Sequence, residues 1–425
     1  MSETTSLSPQ SVDPSEPTFW TQPISERAAA FDLLRQQPGL PFFSEPEAGE
    51  LPVGPGFYAV TRFRDIVEAS KRPALFCSGR GATSIIDVPA EFREFYGSMI
   101  ELDDPRHARM RRIVSRAFTP AVTKRLEQHV EEVAADIVSA VIDRGECDFV
   151  TEVAAQLPLR VICEMMGVPQ TAWPFVLDRT NIILGAGDPE YIPSEDMIFG
   201  ELIRAGQELA DLVAELGTDR AAKERHDVVS DLVNAEIDGE RLTPEELASF
   251  FILLVTAGSE TTRNAIAWGL HWLTEHPDQR AIWEADFEAV APTAVDEIVR
   301  LASPVIQMRR TATCDVVLGG QQLHDGDKVV LYYWAANRDG VVFTDPHRFD
   351  VRRADNRHLG FGAPGPHFCL GAHLARREIT VMFRELFQRV PDIEASSQPV
   401  RLRSDFINGV KHLDCRFTPG GNARD

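Results

Sequence analysis

Residues 360–371 read GFGAPGPHFCLG, and this stretch decides how the rest of the chain is interpreted. Three kinds of site are compatible with it. The spacing Gly360-x-Gly362-x-x-Gly365 is that of a dinucleotide-binding fingerprint. Side chains of the zinc-ligand type also lie close together in the sequence: His358, His367, Cys369 and His373. The third possibility is that the loop presents Cys369 alone, as a single ligating thiol.

The sequence around the loop disfavours the first two kinds of site. A dinucleotide fingerprint follows an apolar strand, whereas residues 350–358, DVRRADNRH, are polar. Structural zinc sites usually combine ligands at short, repeated spacings, and only one cysteine is present here. The favoured alternative is a thiol just before a helix, where free backbone N–H groups and the helix dipole stabilise a thiolate.

Composition limits the class of protein. The chain has 425 residues and a net charge of −22, which disfavours nucleic acid and anionic membranes as partners. Six cysteines without a C-x-x-C pair indicate a reducing, cytoplasmic location. The most apolar run, 250–255, is far shorter than the roughly 20 residues of a membrane span. We expect a disordered lead over 1–19, a single domain over 20–417 and a flexible tail over 418–425.

Most segments have the periodicity of amphipathic helices, and strand-like stretches are few. The strand-like stretches are 56–61, 315–333 with turns at Gly319-Gly320 and Asp325-Gly326, and the C-terminal HLDCRFT. One helix is predicted to run from the capping box Thr243-Pro244-Glu245-Glu246 to the His276-Pro277 break, about 33 residues or nearly 50 Å. The sequence therefore predicts a mainly α protein with a small antiparallel β region.

The Cys369 loop resembles the haem-ligand loop of the cytochrome P450 family, the haem-thiolate monooxygenases. The resemblance implies a triangular prism of helices, with haem b between the long central helix and the helix after Cys369. It makes Cys369 the axial iron ligand, gives Gly365 and Gly371 the role of letting the backbone approach the haem, and directs His367 to a propionate. Phe361 lies eight residues before Cys369 instead of the usual seven.

Further motifs occur in the order of that family. TAGSETT places Ala257, Gly258, Glu260 and Thr261 in the long helix. The resemblance implies that Ala257 and Gly258 lie against the haem, while Glu260 relays protons and Thr261 assists at the oxygen. It also implies propionate contacts from three residues, His107, Arg111 and Arg310. Glu297, Arg300 and Arg348 match the Glu-Arg-Arg structural network of the family.

The implied reaction is hydroxylation with dioxygen and two electrons, supplied by a ferredoxin and its reductase. The substrate pocket predicted from family positions is almost entirely apolar: Ile85, Ile86, Phe92, Phe95, Met99, Leu253, Thr256, Val305, Ile306 and Phe406. Several stretches resemble mycobacterial enzymes that hydroxylate methyl-branched lipids and sterol side chains. We therefore expect a branched fatty acid or isoprenoid chain, hydroxylated at or near its terminus, with sterol side chains as the alternative. A haem-binding sensor or carrier and a peroxide-using enzyme are less favoured, because Glu260 and Thr261 are both present.

Overall fold

The structure, a computed structural model, describes residues 12–47, 49, 51–117, 120–222, 227–234 and 241–420, with the backbone alone for 17, 116, 117 and 120–127. Its helices are α1 Ile24–Gln36, α2 Phe63–Ser70, α3 Ala90–Gly97, α4 Arg106–Ala117, α5 Pro120–Val141, α6 Gln156–Met165, α7 Trp173–Leu184, α8 Ile198–Ala222, α9 Val228–Asn234, α10 Pro244–Glu275, α11 Pro277–Ala285, α12 Phe287–Ala302, α13 Tyr333–Ala336 and α14 Ala372–Arg389. Its strands are β1 Phe42–Phe43, β2 Phe57–Val60, β3 Phe76–Cys77, β4 Glu146–Asp148, β5 Gln307–Ala312, β6 Val316–Leu318, β7 Gln321–Leu323, β8 Lys328–Tyr332, β9 Glu394–Ala395, β10 Val400–Arg401, β11 Val410–His412 and β12 Asp414–Arg416.

The central helix α10 confirms the prediction from its end signals. It has 32 residues, and Thr243 and Glu246 form the reciprocal capping box at its start. It ends at Glu275, because Pro277 has no N–H with which to continue the hydrogen-bonding pattern and begins α11 instead. The helix crosses the molecule and brings Ala257, Glu260 and Thr261 to its middle.

The largest sheet has the strand order β1-β2-β8-β5-β3. Its pairs are antiparallel except β2 with β8, which is parallel. The predicted small antiparallel β region is confirmed, with β2 and β8 as one parallel pair that the long connection between these strands permits. Gly319 and Gly320 form the predicted turn between β6 and β7, both with positive φ (56° and 84°), a conformation that favours glycine.

Two apolar clusters meet along α10. The N-terminal half of the helix, including Phe250 to Val255, packs with α6, α8 and α9. The C-terminal half, including Ala265 to Leu273, packs with α5, α12 and α14. The segment around Ala257 to Thr261 lies between these two clusters and is held from both sides.

The chain ends differ from the expectation of a disordered lead and tail, as far as they are described. Val12, Phe19 and Trp20 are buried in one cluster with α1 and β8, because Trp20 stacks on Tyr332 and places its indole N–H on the Pro14 carbonyl at 2.9 Å. Residues 418–420 are also attached, with Gly420 donating its N–H to Ile142 O. Residues 1–11 and 421–425 lie outside the described chain.

Among the described residues, no helix has the length and apolar character needed to cross a bilayer.

Candidate active site

The Cys369 loop folds back on itself despite its longer spacing. The Cys369 N–H donates to the Phe361 carbonyl at 3.0 Å, and the Phe368 N–H donates to Gly365 O at 3.2 Å. Gly362 has a φ of +83°, which an L side chain rarely adopts. The extra residue is therefore taken up inside a closed turn, and α14 begins three residues after Cys369, as predicted.

The Cys369 thiol is accessible at the end of this loop. The protein atoms around it displace enough water to raise its pKa, while the backbone N–H groups of Gly371 and Ala372 and the charges of Arg111 and Arg376 act in the opposite direction. The helix start thus supplies the donors that a thiolate needs, but the net pKa shift in the protein alone is upward. A positively charged metal centre would complete the stabilisation of the anionic sulfur.

A group of cationic and imidazole side chains lies beside the loop. The rings of His107 and His367 are 4.2 Å apart, and Arg111 Nη2 donates to Phe368 O at 2.6 Å. Burial, followed by the charges of Arg310, His107 and Arg111, lowers the pKa of His367 to about 2. His107 Nε2 is buried without a hydrogen-bond partner. An unsatisfied buried nitrogen beside two arginines suits an anionic group, so these residues fit the propionates of haem b.

The middle of α10 carries the second group of predicted site residues. Ala257 is exposed there, and the half-exposed Thr261 donates its hydroxyl to the Ala257 carbonyl at 2.8 Å. The lone pairs of that hydroxyl remain available to accept a hydrogen bond. A Cβ at Gly258 would lie 3.1 Å from Ile162 Cδ1 of α6. Close packing of α10 on α6 therefore accounts for the glycine.

Glu260 is buried beside Thr261 in an ion pair. Its carboxylate lies 2.6 Å from Arg263 Nη2, and Arg263 Nη1 donates to Asn181 Oδ1 at 2.9 Å. Burial raises the pKa of Glu260, and Arg263 opposes that shift. Its Oε1 is buried without a protein hydrogen-bond partner. One oxygen of the Glu260 carboxyl group therefore forms the ion pair, and the other has no hydrogen-bond partner among the described residues.

The Glu-Arg-Arg network differs from the prediction in its third member. Glu297 and Arg300 are fully buried with their side chains 2.7 Å apart, as expected. The second arginine is Arg353, whose Nε lies 3.0 Å from Glu297. Arg348 is exposed and contributes only its backbone carbonyl, which accepts from both arginines. The turn after Asp345 directs the Arg348 side chain outward and brings Arg353 back towards α12.

The predicted pocket residues are distributed over three environments. Met99, Leu253 and Phe95 pack in the cluster around the N-terminal half of α10, where Thr256 bonds back to Ile252 O. Phe92 stacks on Phe199 of α8 at 5.3 Å. The remaining positions lie in or beside the cluster that contains Trp20 and Phe31. Ile85 and Ile306 are inside it, and the Ile86 carbonyl accepts a hydrogen bond from Arg309 Nη1. Val305 forms a β-bridge to Ile407, and the Phe406 carbonyl accepts from the Ile306 N–H.

The histidines near Cys369 do not converge on one point. His358 faces Asp296 at 3.4 Å, and His367 Nε2 lies 3.1 Å from Ser78 Oγ. Within the described part of the chain, no three His, Cys, Asp or Glu side chains are grouped as metal ligands. The zinc alternative therefore has no geometric support in these residues.

Several residues near the site have no signal in the local sequence. Ser78 contacts His367, and Arg376 lies 4.4 Å from the centre of the Phe361 ring. Glu378 is fully buried on α14, and its burial raises its pKa to about 8. The ion pair of Arg263 with Glu260, in contrast, has a signal in the sequence, because the two residues are three positions apart, the spacing of a helical ion pair.

Comparison with known proteins agrees with this geometry. The model of the family described as cytochrome P450 matches residues 196–285 and 289–392. The chain is 47% identical over 398 residues to a methyl-branched lipid omega-hydroxylase of Mycobacterium tuberculosis, covering 93% of this chain and 92% of that protein. It is 40% identical over 373 residues to a steroid C26-monooxygenase of Rhodococcus jostii, covering 86% and 77%. A Mycobacterium marinum cytochrome P450 solved with pseudoionone is similar over 96% of this chain and 98% of that one, with 38% identity and a TM-score of 0.90. The chain belongs to the cytochrome P450 family of haem-thiolate monooxygenases.

Proposed function

We propose that this cytochrome P450 hydroxylates a methyl-branched fatty acid or isoprenoid lipid at or near the end of its chain. The observation that carries the proposal is the 47% identity, over 93% of this chain, to a protein named methyl-branched lipid omega-hydroxylase. Steroid C26-monooxygenases at 37–40% identity support sterol side chains as the second candidate. Both names describe oxidation at the terminus of a branched aliphatic chain, so the two candidates share one chemistry.

Haem b held by the Cys369 thiolate supplies the oxidising chemistry, inserting one atom of dioxygen into a C–H bond with two electrons and two protons. In our proposal His107, Arg111, Arg310 and His367 hold the propionates. This assignment rests on their grouping beside the loop and on the unsatisfied His107 Nε2.

Proton delivery is assigned to Glu260 and Thr261. Thr261 already donates its own proton to Ala257 O, so its oxygen is oriented to accept a hydrogen bond from water in the cleft. Glu260 has one oxygen paired with Arg263 and one oxygen free. Burial raises the pKa of Glu260, the direction that favours uptake of a proton by the carboxylate, and a proton relay requires such uptake.

We propose a ferredoxin and its reductase as the electron donors, and a cytoplasmic location. The rim of the Cys369 loop is suited to an acidic carrier, because the partly exposed guanidinium of Arg376 covers the Phe361 ring there. Phe368 itself is 40% exposed and supplies an apolar contact next to the cysteine. The rate of haem reduction by a ferredoxin should fall as ionic strength rises, and a salt-independent rate would contradict this docking mode.

The substrate is tested by titrating matched branched and linear lipids and a sterol, following the low-spin to high-spin change of the Soret band. Each buried CH₂ contributes about 0.8 kcal/mol, so affinity should rise with chain length, and branched chains should bind more tightly than linear chains of equal carbon number. Mass spectrometry then locates the new hydroxyl. Equal affinities would remove the branched-lipid assignment, and tighter binding of the sterol would favour the second candidate. Turnover that depends on a ferredoxin excludes the sensor and peroxide-using alternatives.

A further inference from the structure

Arg27 is a buried cation without an anionic partner. It lies in the first turn of α1, and only 1% of its surface is exposed. Its guanidinium is placed between two indole rings, 5.8 Å from the centre of Trp20 and 5.1 Å from that of Trp334. Its Nε and Nη2 are buried and make no hydrogen bond to any described residue. Two aromatic faces offset only part of the cost of burying such a charge.

The second cation of this cluster is Arg401, on β10. Its Nη2 donates to the carbonyls of Thr21 and Gln22, while its Nη1 is buried without a partner. Burial and, next, the charge of Arg401 lower the pKa of Arg27 to about 9, so Arg27 remains a cation at neutral pH. Both cations contact the segment 20–22, Arg27 through the Trp20 ring and Arg401 through the Thr21 and Gln22 carbonyls, so two like charges with unused donors lie on the same short segment.

Among the described residues, no acidic side chain forms an ion pair with Arg27 or Arg401. Asp32, on the same helix, pairs with Arg35, and Asp13 accepts from Ser15. Burial raises the pKa of the Tyr332 hydroxyl, and the charges of Asp405 and Asp13 act in the same direction, so both carboxylates lie near the cluster without pairing with Arg27. Trp334 adds a further donor, since its Nε1 is buried without a partner. The unused donors of Arg27, Arg401 and Trp334 thus have no acceptor within hydrogen-bond distance among the described residues.

We propose that Arg27 and Arg401 form a binding site for one small oxyanion, a carboxylate or a phosphate. An oxyanion accepts several N–H bonds at once and matches the fork of a guanidinium. It would satisfy the unused Arg27 and Arg401 donors together and remove the repulsion between the two cations. Half-buried Arg401 provides the side of the site that is open to solvent.

The oxyanion has two possible sources, a free anion of the medium or the carboxylate of a lipid substrate. The second source is supported by a link between the site and the predicted pocket. Arg27 lies over the Trp334 ring, and Trp334 donates its backbone N–H at 3.1 Å to the carbonyl of Ile306, a residue predicted to line the pocket. Only this second source rests on the proposed function, because the oxyanion site itself needs no lipid.

The first experiment uses the haem-loaded protein without lipid. Its melting temperature is measured against phosphate and formate concentration at constant ionic strength, for the wild type, Arg27→Met and Arg401→Met. The exposed pair Arg357 and Asp355 supplies the control, Arg357→Met. We expect the wild type and the control to reach half of their thermal stabilisation at the same anion concentration. In either site variant, that anion concentration should be at least tenfold higher. An absence of any anion effect in the wild type, or equal midpoints in all variants, would overturn the proposal.

The second experiment identifies the source. Dissociation constants of a branched fatty acid and of the alcohol with the same chain are compared in the wild type and in Arg27→Met by the Soret shift. If the lipid carboxylate is the occupant, the wild type prefers the acid and Arg27→Met loses that preference. If a free anion is the occupant, the ratio of the two constants stays the same while the thermal effect of the anions is lost. If neither lipid binds, the proposed function fails, and the first experiment still decides the site.

Discussion

Glu260 and Arg263 form an ion pair of 2.6 Å, one helical turn apart in the middle of α10, with the side chains of both residues almost completely buried. The pair has a structural and a chemical component, and substitution can separate them. Removing one partner leaves an uncompensated charge, whereas removing both does not.

Glu260→Gln should lower turnover about 10²-fold, because the acid that carries the proton is lost. It should also lower the free energy of unfolding by about 3 kcal/mol, since Arg263 is left unpaired. The double variant Glu260→Gln/Arg263→Met should recover most of the stability without recovering turnover. Recovery of both would mean that Glu260 acts only through the ion pair. Turnover assays of the holoenzyme measure the rate, and denaturant titration of the holoenzyme measures the free energy of unfolding.

Thr261→Ala should bind haem and substrate normally but release more of the consumed reducing equivalents as hydrogen peroxide, because the hydroxyl that accepts a hydrogen bond in the cleft is absent. Product and peroxide formed per nicotinamide oxidised are the measurements. Thr261→Ser retains the hydroxyl and should couple nearly as well as the wild type. Equal coupling in Thr261→Ala and the wild type would contradict the proposed role.

Cys369→Ala should abolish the band near 450 nm of the reduced carbon monoxide complex and with it monooxygenase activity. Cys314, the other exposed cysteine among the described residues, provides the control. Cys314→Ala should keep the full spectrum. A retained band in Cys369→Ala would remove this residue as the iron ligand.

Arg353→Gln should destabilise the protein by about 3 kcal/mol, because it breaks a buried ion pair with Glu297. Arg348→Gln should change the free energy of unfolding by less than about 0.5 kcal/mol, since the Arg348 side chain is exposed. Urea denaturation of both variants compares them directly. A larger effect at Arg348 would restore the assignment made from sequence.

His412 should make the stability depend on pH. Its Nδ1 lies 2.6 Å from Asp148 and its Nε2 2.9 Å from Glu190, and these contacts raise its pKa above the ordinary value of 6.5. Because folding raises the pKa of His412, its ion pairs stabilise the folded protein fully at pH values below the unfolded-state pKa. This stabilisation is lost as the pH rises through the folded-state pKa. The melting temperature of the wild type minus that of His412→Asn should therefore be greatest near pH 5.5 and decline towards pH 8.5. A difference that grows with pH would contradict this interpretation.

The features that sequence predicted well are those with local signals. The ends of α10 follow from a capping box and a proline, and the Cys369 loop is a contiguous motif. The features that it missed depend on contacts between segments far apart in the chain. Arg353 replaces Arg348 because of how the 345–353 turn folds against α12. Ile306 lies in the N-terminal cluster because Trp20 and Phe31 pack there, which no pattern around residue 306 indicates.

The position of α10 between two apolar clusters has a consequence for cooperativity. Its N-terminal half belongs to one cluster and its C-terminal half to the other, and the helix is continuous over 32 residues. Because both clusters contain part of α10, the unfolding of one cluster removes packing partners from a helix on which the other cluster also depends. We therefore expect the two halves of the molecule to unfold together, and the residues around Thr261 to lose their order when either half unfolds.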